Sequence, residues 1–413
     1  MESRYAYYGN FFDDDNNLID KGVAIAFPGP NSYTGEDVVE FQGHGGVSVI
    51  RKLLETIISL DVRVAEPGEF TKRAFLNGKM DLVQAEAVQD LIQSSSEESA
   101  LSAVRSLTGE FSEKINQILS ELIALRVFVE ATIDFSDEEI DFLESHEVSS
   151  KLHSLQERLL NILESANQGA ILRDGIHVAI AGKPNAGKSS LLNSLTKQSS
   201  AIVTDIAGTT RDALKETIHI DGMPIHIIDT AGLRETSDVV EKEGVKRARQ
   251  EVEKADVILC VLDSSAVSDL EQALKTLIPE RNNVPLIVLL NKIDLVDDER
   301  LSRNFVARND GGAISPKISH NDEGVIKVSI KNNTGLDALK ENLKNIVGYQ
   351  TATEGNFIAR RRHLDCLEQA KTFVENGLEQ ITLHNAGELL AEDLRQAQES
   401  LSKITGEFTS DDL

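Results

Sequence analysis

The stretch IHVAIAGKPNAGKSSLLNSL, Ile176 to Leu195, decides how the rest of this chain is read. Ile176 to Gly182 has the apolar composition of a buried strand, and Leu191 to Leu195 opens a helix-length run. Between them, Gly182-Lys183-Pro184-Asn185-Ala186-Gly187-Lys188-Ser189 matches G-x-x-x-x-G-K-[ST] in the strand-to-helix context that the motif requires. Its glycines let backbone N–H groups turn inward around phosphate oxygens, and the helix start adds positive potential. Lys188 then reaches the terminal phosphates and Ser189 ligates magnesium, with Asn185, Ala186, Gly187 and Ser190 completing the cradle.

Working outward, Ile225 to Asp229, Val257 to Asp263, Leu286 to Asn291 and Val325 to Ser329 are short β-branched runs that alternate with helix-length segments. That pattern predicts an open α/β sheet. Ile218 to Ile220 and Ile225 to Ile228, joined through Asp221-Gly222, predict a hairpin at one sheet edge. Residues 304–324, rich in Asn, Asp, Gly and Ser, read as a polar loop. Three further motifs stand at strand ends. Asp229-Thr230-Ala231-Gly232 places a carboxylate near magnesium and a Gly232 N–H near a γ-phosphate. In Asn291-Lys292-Ile293-Asp294, the Asp294 carboxylate can accept both the ring N–H and the exocyclic amine of guanine, a donor pair that adenine does not present. Ser329-Ile330-Lys331 fits a weaker base-supporting element. Thr204-Asp205-Ile206-Ala207-Gly208-Thr209-Thr210-Arg211-Asp212 lies between the first helix and the hairpin, and Thr210 is the candidate switch threonine that closes on magnesium. Where many guanine-nucleotide switches carry a water-orienting glutamine, this chain has Leu233, which cannot hydrogen-bond water. Glu235, Glu241 and Glu243 are acidic candidates for that task, and spacing alone does not choose among them.

The flanks have a different texture. Residues 1–80 mix extended runs (Val23 to Phe27, Val38 to Phe41, Val62 to Ala65) with one amphipathic helix over Val47 to Leu60, a small α+β unit. Val104, Leu107, Phe111, Ile115, Ile118, Leu122, Leu125 and Val129 predict one long core-facing helix. A second helix is predicted over 148–172, and Leu390, Leu394, Ala397, Leu401 and Ile404 mark a closing one. The α/β module is therefore expected to be inserted in a helical domain whose two halves meet in space. At 413 residues the chain holds two to three domains of roughly 150 residues each. No apolar run approaches the roughly 18 residues of a membrane span, and the start lacks an apolar signal segment, so a cytoplasmic protein is expected. Cys260 and Cys366 form no CxxC pair. A net charge of −26 makes the chain a poor general binder of polyanions, so any nucleic-acid role must be local or carried by a partner.

Taken together these words resemble the MnmE family of tRNA-modification GTPases. The likeness is carried by Gly182 to Asn193, Thr204 to Asp212 and Asp229 to Arg234 in the module. Outside it, Phe27 to Asp37, Gly43 to Gly46, Pro67 to Lys79, Ala359 to His363 and Ile404 to Leu413 resemble the family too. The resemblance implies a multidomain α+β and α/β chain. Its parts would be an N-terminal tetrahydrofolate-binding and dimerisation domain over 1–80, a helical domain in two parts over 81–173 and 346–413, and a Ras-like P-loop GTPase domain over 174–345. It implies a potassium-activated GTPase without an arginine finger, acting as a homodimer whose G domains meet. Asn185 matches the side-chain potassium ligand, and Thr204, Ile206 and Thr209 match the loop positions that complete its shell. Glu241 matches the glutamate that orients the attacking water. Lys188 and Thr210 complete the catalytic set, with GTP and Mg2+ as substrate and cofactor. With a flavin-dependent partner, in a heterotetramer, the family modifies carbon 5 of the wobble uridine of tRNA, which is held largely by that partner. The one-carbon donor is a 5-formyl- or methylene-tetrahydrofolate, and Glu40 and Lys79 match two folate-contacting positions.

Family members usually begin with a further segment carrying Gly-Arg-Gly-Gly and end in Cys-x-Gly-Lys, and neither stands in this sequence. On that ground the N-terminal domain is expected to be incomplete, with weaker dimerisation, folate binding and modification, while GTP hydrolysis survives. Two other readings compete with the full one. A ribosome-assembly switch of the Era or Der type shares the P-loop but usually carries a basic RNA-binding appendix; here the only dense basic cluster is Arg360 to His363. A GTP-binding regulator that has lost modification activity is the other.

Overall fold

A computed structural model of the chain describes residues 2–134, 146–198, 216–229, 255–277, 284–297, 325–350, 357–384 and 386–406. They fall into two units. One holds Met1–Gln89, Ser106–Leu159 and Cys366–Leu413, the other Asp90–Arg105 and Leu160–Asp365.

In the first unit, β1 (Tyr7–Phe12), β2 (Leu18–Phe27) and β3 (Val38–Gln42) form an antiparallel three-stranded sheet in that order. The β1–β2 turn is closed by Asp13, whose Oδ1 accepts the N–H groups of Asn17 (2.8 Å) and Asp15 (3.1 Å). Strand β1 was not expected from the sequence. Helices α1 (Val47–Ile58) and α2 (Glu69–Leu76) follow. The run Val62 to Ala65 is not a strand. Alternation makes a strand only where a ladder partner is in reach, and here the Arg63 guanidinium turns instead to both oxygens of Glu69 at 2.8 and 2.6 Å.

The helices α3 (Leu82–Gln93), α4 (Glu97–Leu107), α5 (Glu110–Asp134) and α6 (His146–Asp174) come next. The single helix expected across Val104 to Val129 is two helices. The chain leaves the helical conformation at Gly109, whose φ of 91° lies in the region that favours glycine, and Val104 is 41% exposed rather than core-facing. The apolar repeat continues across the break, which is why periodicity missed it.

The inserted module contains β4 (Ile176–Ala181), α7 (Lys188–Gln198), β5 (Glu216–Ile220), β6 (Met223–Asp229), β7 (Val257–Asp263), α8 (Leu270–Leu277), β8 (Leu286–Asn291), β9 (Val325–Lys327) and α9 (Leu336–Val347). Its six-stranded sheet runs β5-β6-β4-β7-β8-β9, parallel except for the β5–β6 hairpin at the edge. Both faces are covered. Val257, Leu259 and Val261 of β7 pack in the layer that includes Leu191 and Leu339, while Ile258, Cys260 and Leu262 pack in the opposite layer with Leu274. This two-sided burial explains an uninterrupted apolar strand, each such side chain contributing roughly 1.5–3 kcal/mol. Strand β9 ends at Lys327, earlier than the sequence suggested, and Ser329 forms an isolated bridge with Thr334.

Helices α10 (Arg361–Glu379) and α11 (Gly387–Thr405) close the chain. In the first unit α11 packs along α5. Leu390, Leu394, Ala397, Leu401 and Ile404 are fully buried, as are Phe111, Ile115, Ile118 and Leu122 of α5. Truncating a residue such as Leu122 to alanine costs roughly 2–5 kcal/mol.

Candidate nucleotide site

Strand β4 lies between β6 and β7, so the chain crosses to one side of it and later returns to the other. Such a switch point opens a crevice at the carboxyl ends of the strands. The loop after β4 occupies it. A cavity of about 1320 Å³ is lined there by Asn185, Gly187, Lys188, Ser189, Ser190, Asn291, Lys292, Asp294, Ile330 and Lys331 among others. Ten of the residues singled out from separate motifs thus share one cavity.

Helix α7 begins at Lys188, so the first backbone N–H groups of the helix have no partner within it and are available to an anion. Lys188 Nζ donates to the carbonyls of Gly182 (2.8 Å) and Lys183 (3.2 Å), which holds the ammonium across the loop. Gly187 has φ 107°, and a Cβ there would stand 2.2 Å from Asn291 Nδ2. Only glycine permits that approach. Asn291, 3% exposed, uses it: its Nδ2 donates to the Ala186 carbonyl at 2.8 Å and its Oδ1 accepts the Ile330 N–H at 3.3 Å. One side chain therefore joins the phosphate-type loop, the end of β8 and the loop after β9.

The base side is held in two places. Ser329, buried, donates its hydroxyl to Asp294 Oδ1 at 2.6 Å, which orients the carboxylate and leaves Oδ2 and a second lone pair on Oδ1 as acceptors. Lys292, in a left-handed conformation with φ 65°, sends its ammonium to Asp263 Oδ2 at 2.6 Å. Asp263 was not singled out from the sequence. Burial pushes its carboxyl up, but Lys292 and the Ser265 hydroxyl and amide outweigh that and hold it below its ordinary value. Its pairing with Lys292 comes through the β7–β8 register, so no contiguous motif marks it.

Oxygen donors suit a hard divalent cation, and the Ser189 hydroxyl on the cavity wall fits magnesium. The Asn185 side chain on the same wall offers a further oxygen donor to a cation. The remaining expected residues, Thr204, Asp205, Ile206, Ala207, Gly208, Thr209, Thr210, Thr230, Ala231, Gly232 and Glu241, lie outside the described residues, as do Leu233, Glu235, Glu243 and the loop 304–324; Asp229 is described only as the end of β6.

The first unit has a cavity of its own, about 400 Å³, where Glu40 and Lys79 meet with Arg4, Asn31 and Tyr33. Lys79 Nζ donates to the Pro30 carbonyl (2.9 Å) and Arg4 to the Asn31 carbonyl (2.9 Å). The loop bearing Asn31 and Tyr33 is pinned to α2 and the turn after it: Arg73 pairs with Glu36 at 2.8 Å and Asn77 donates to the Thr34 carbonyl at 2.8 Å. Two cations and a carboxylate suit a ligand that carries both carboxylates and N–H donors.

The module is thus a P-loop domain of the guanine-nucleotide type, a doubly wound α/β sheet with phosphate and base loops at one end. Comparison with known proteins carries this further. Residues 1–79 match the family described as the GTP-binding protein TrmE N-terminus, and residues 82–413 match the MnmE helical domain. The tRNA modification GTPase MnmE of Hydrogenovibrio crunogenus is 51% identical over 412 residues, 99% of this chain and 87% of that protein. That of Vesicomyosocius okutanii is 53% identical over 410 residues (99% and 88%), and that of Histophilus somni 52% over 419 residues (100% and 89%). The chain belongs to the MnmE family of tRNA modification GTPases.

Proposed function

We propose that this chain hydrolyses GTP and through it takes part, with a flavin-dependent partner, in modifying carbon 5 of the wobble uridine of tRNA. The observation that carries the GTPase reading is the Asn291 bridge. It ties the Gly187-Lys188 loop to the elements bearing Asp294 and Ser329, so phosphate and base contacts share one cavity. Lys188 holds the phosphates, Ser189 and Thr210 would hold Mg2+, and Asp294 accepts the two guanine donors. Asn185, with Thr204, Ile206 and Thr209, would hold K+. Bound there, the two cations offset the charge that builds between the β- and γ-phosphates. Glu241 orients the attacking water. In the first unit, Glu40 and Lys79 would hold the tetrahydrofolate that supplies the one-carbon group.

A homodimer accords with the apolar surface of the first unit. Val47 is 85% exposed and Tyr8 75% exposed, and α1 buries none of its own residues. A cytoplasmic protein accords with the lack, among the described residues, of any helix long and apolar enough to cross a membrane. Two measurements test the reading. Turnover of GTP in potassium should far exceed turnover in sodium, with ATP not hydrolysed; equal rates in the two salts sink the potassium assignment. Mass spectrometry of wobble uridines in cells relying on this chain tests modification, and unmodified uridine there overturns it.

A further inference from the structure

Asp263 belongs to none of the motifs by which the cavity was read, yet both of its oxygens are engaged, one of them by a residue of the cavity wall. The β7–β8 register places it beside Asn291, and the Ser264 N–H donates to the Asn291 carbonyl at 2.9 Å. Its Oδ1 accepts the Ser265 N–H (3.0 Å) and hydroxyl (2.6 Å), which fixes the carboxylate's rotamer. Its Oδ2 takes the Lys292 ammonium at 2.6 Å, with both side chains partly buried. Lys292 lines the cavity, and its left-handed backbone is strained for a residue with a Cβ.

We propose that Asp263 is a positioning residue for the base-recognition loop: it anchors Lys292 so that the lysine's aliphatic stem lies along the cavity wall as a flat platform edge for the base. The proposal rests on the guanine reading of the same cavity. Ser329 holds Asp294 from one flank and Asp263 holds Lys292 from the other, so the loop Asn291 to Asp294 is braced on both sides. A purine entering between them meets a preorganised donor-acceptor edge and pays little ordering entropy. The burial of Asp263 would favour a neutral carboxyl, but the pairing keeps it charged, in the form that the lysine needs.

The test is a double-mutant cycle on the full chain, with Asp263→Asn, Lys292→Met and both together, read by equilibrium titration with fluorescent GDP and by steady-state GTP hydrolysis. Asp263→Asn should weaken GDP about tenfold, the scale of one charge-assisted hydrogen bond. The KM for GTP should rise in step while kcat stays within about twofold, because the lost contact lies at the base and not at the phosphates. The double variant should bind no more weakly than Lys292→Met alone, since Asp263 acts through that lysine. Lys292→Met leaves β7 untouched and gives a readout if Asp263→Asn does not fold: parental GDP affinity in that variant overturns the proposal. So do additive losses in the cycle, an Asp263→Asn variant that binds like the parent, or a fall in kcat without a change in KM. A parent chain that binds no guanine nucleotide overturns the guanine reading and this proposal with it.

Discussion

Asn291→Ala tests the bridge on which the nucleotide cavity depends. The asparagine is 3% exposed, and its removal leaves the Ala186 carbonyl and the Ile330 N–H without that partner. Ala186 is itself 2% exposed, so its carbonyl gains little from water. An unsatisfied buried group costs about 1–3 kcal/mol. The 2.8 Å bond belongs at the upper part of that range and the 3.3 Å bond at the lower, which gives about 4 kcal/mol in total. For a unit of this size that is a fall in melting midpoint of about 8–16 °C. Asn291→Asp sharpens the test. It keeps an acceptor for Ile330 but turns a carboxylate oxygen toward the Ala186 carbonyl, with no hydrogen between them, so it should cost at least as much as alanine. The assay is thermal unfolding followed by near-ultraviolet circular dichroism, with and without GDP and magnesium. Nucleotide should raise the midpoint of the parent and raise that of either variant far less. An alanine variant within about 0.5 kcal/mol of the parent refutes the bridge as a source of stability. One in which GDP gives the full parental shift refutes it as the link between the two loops.

Gly187→Ala should abolish measurable nucleotide binding, because its Cβ would stand 2.2 Å from Asn291 Nδ2 at a φ of 107°; retained GDP affinity would show that the loop can move aside. Burial, with Glu98 and Asp221 adding to it, pushes the Tyr349 phenol from 10.0 up to about 12. A folded-state pKa above the unfolded one means stability that is complete below about pH 10 and lost as pH rises toward 12, so Tyr349→Phe should flatten urea-denaturation midpoints across that window. Burial likewise raises the Asp393 carboxyl, with Glu392 second. The contribution of Asp393 is therefore favourable below its ordinary 3.8 and declines as pH rises through the shifted value. Asp393→Asn should raise the melting midpoint at about pH 7 and give no advantage at about pH 3, and the reverse order would contradict the burial.

How much of this was legible in the sequence depends on whether the deciding contact was local. The strands of the module read as uninterrupted apolar runs because both faces of the sheet are covered, and the α11 face read correctly because Leu390, Leu394, Ala397, Leu401 and Ile404 all meet one neighbour side. The break at Gly109 was hidden because the spacing from Leu107 to Phe111 keeps the helical phase while the backbone between them does not. The β1 strand was hidden for a different reason. None of its six residues is buried, so Tyr7 to Phe12 carries no apolar-polar alternation, and its pairing comes from β2. At the site, each contiguous motif could be found from its own residues. Asp263 could not, because its chemistry reaches Lys292 only through the β7–β8 register, which no local pattern encodes.

The basic cluster at Arg360 to His363 shows how such a register-dependent contact can change a functional reading. As a sequence it offered the only dense positive patch, and so the only place for an RNA-binding appendix. In the structure Arg360 lies across Asp90, which is 4% exposed, at 2.8 Å, and Arg173 meets the same carboxylate at 2.9 Å. His363 is buried, its Nδ1 accepting the Arg360 N–H at 3.1 Å, and Arg361 pairs with Asp365 at 3.0 Å. Arg173 ends the helix that enters the inserted module and Arg360 precedes the helix that leaves it, so Asp90 fastens entry and exit together. Gln168 does the same with neutral bonds, donating to the Gly348 carbonyl at 2.6 Å and accepting the Gln350 N–H at 2.9 Å. Removing one partner from a buried ion pair costs about 3–5 kcal/mol, because the other charge stays behind. Arg360 therefore helps to close the loop that the insertion opens, its charge answered by Asp90, while Arg361 stays exposed beside Asp365.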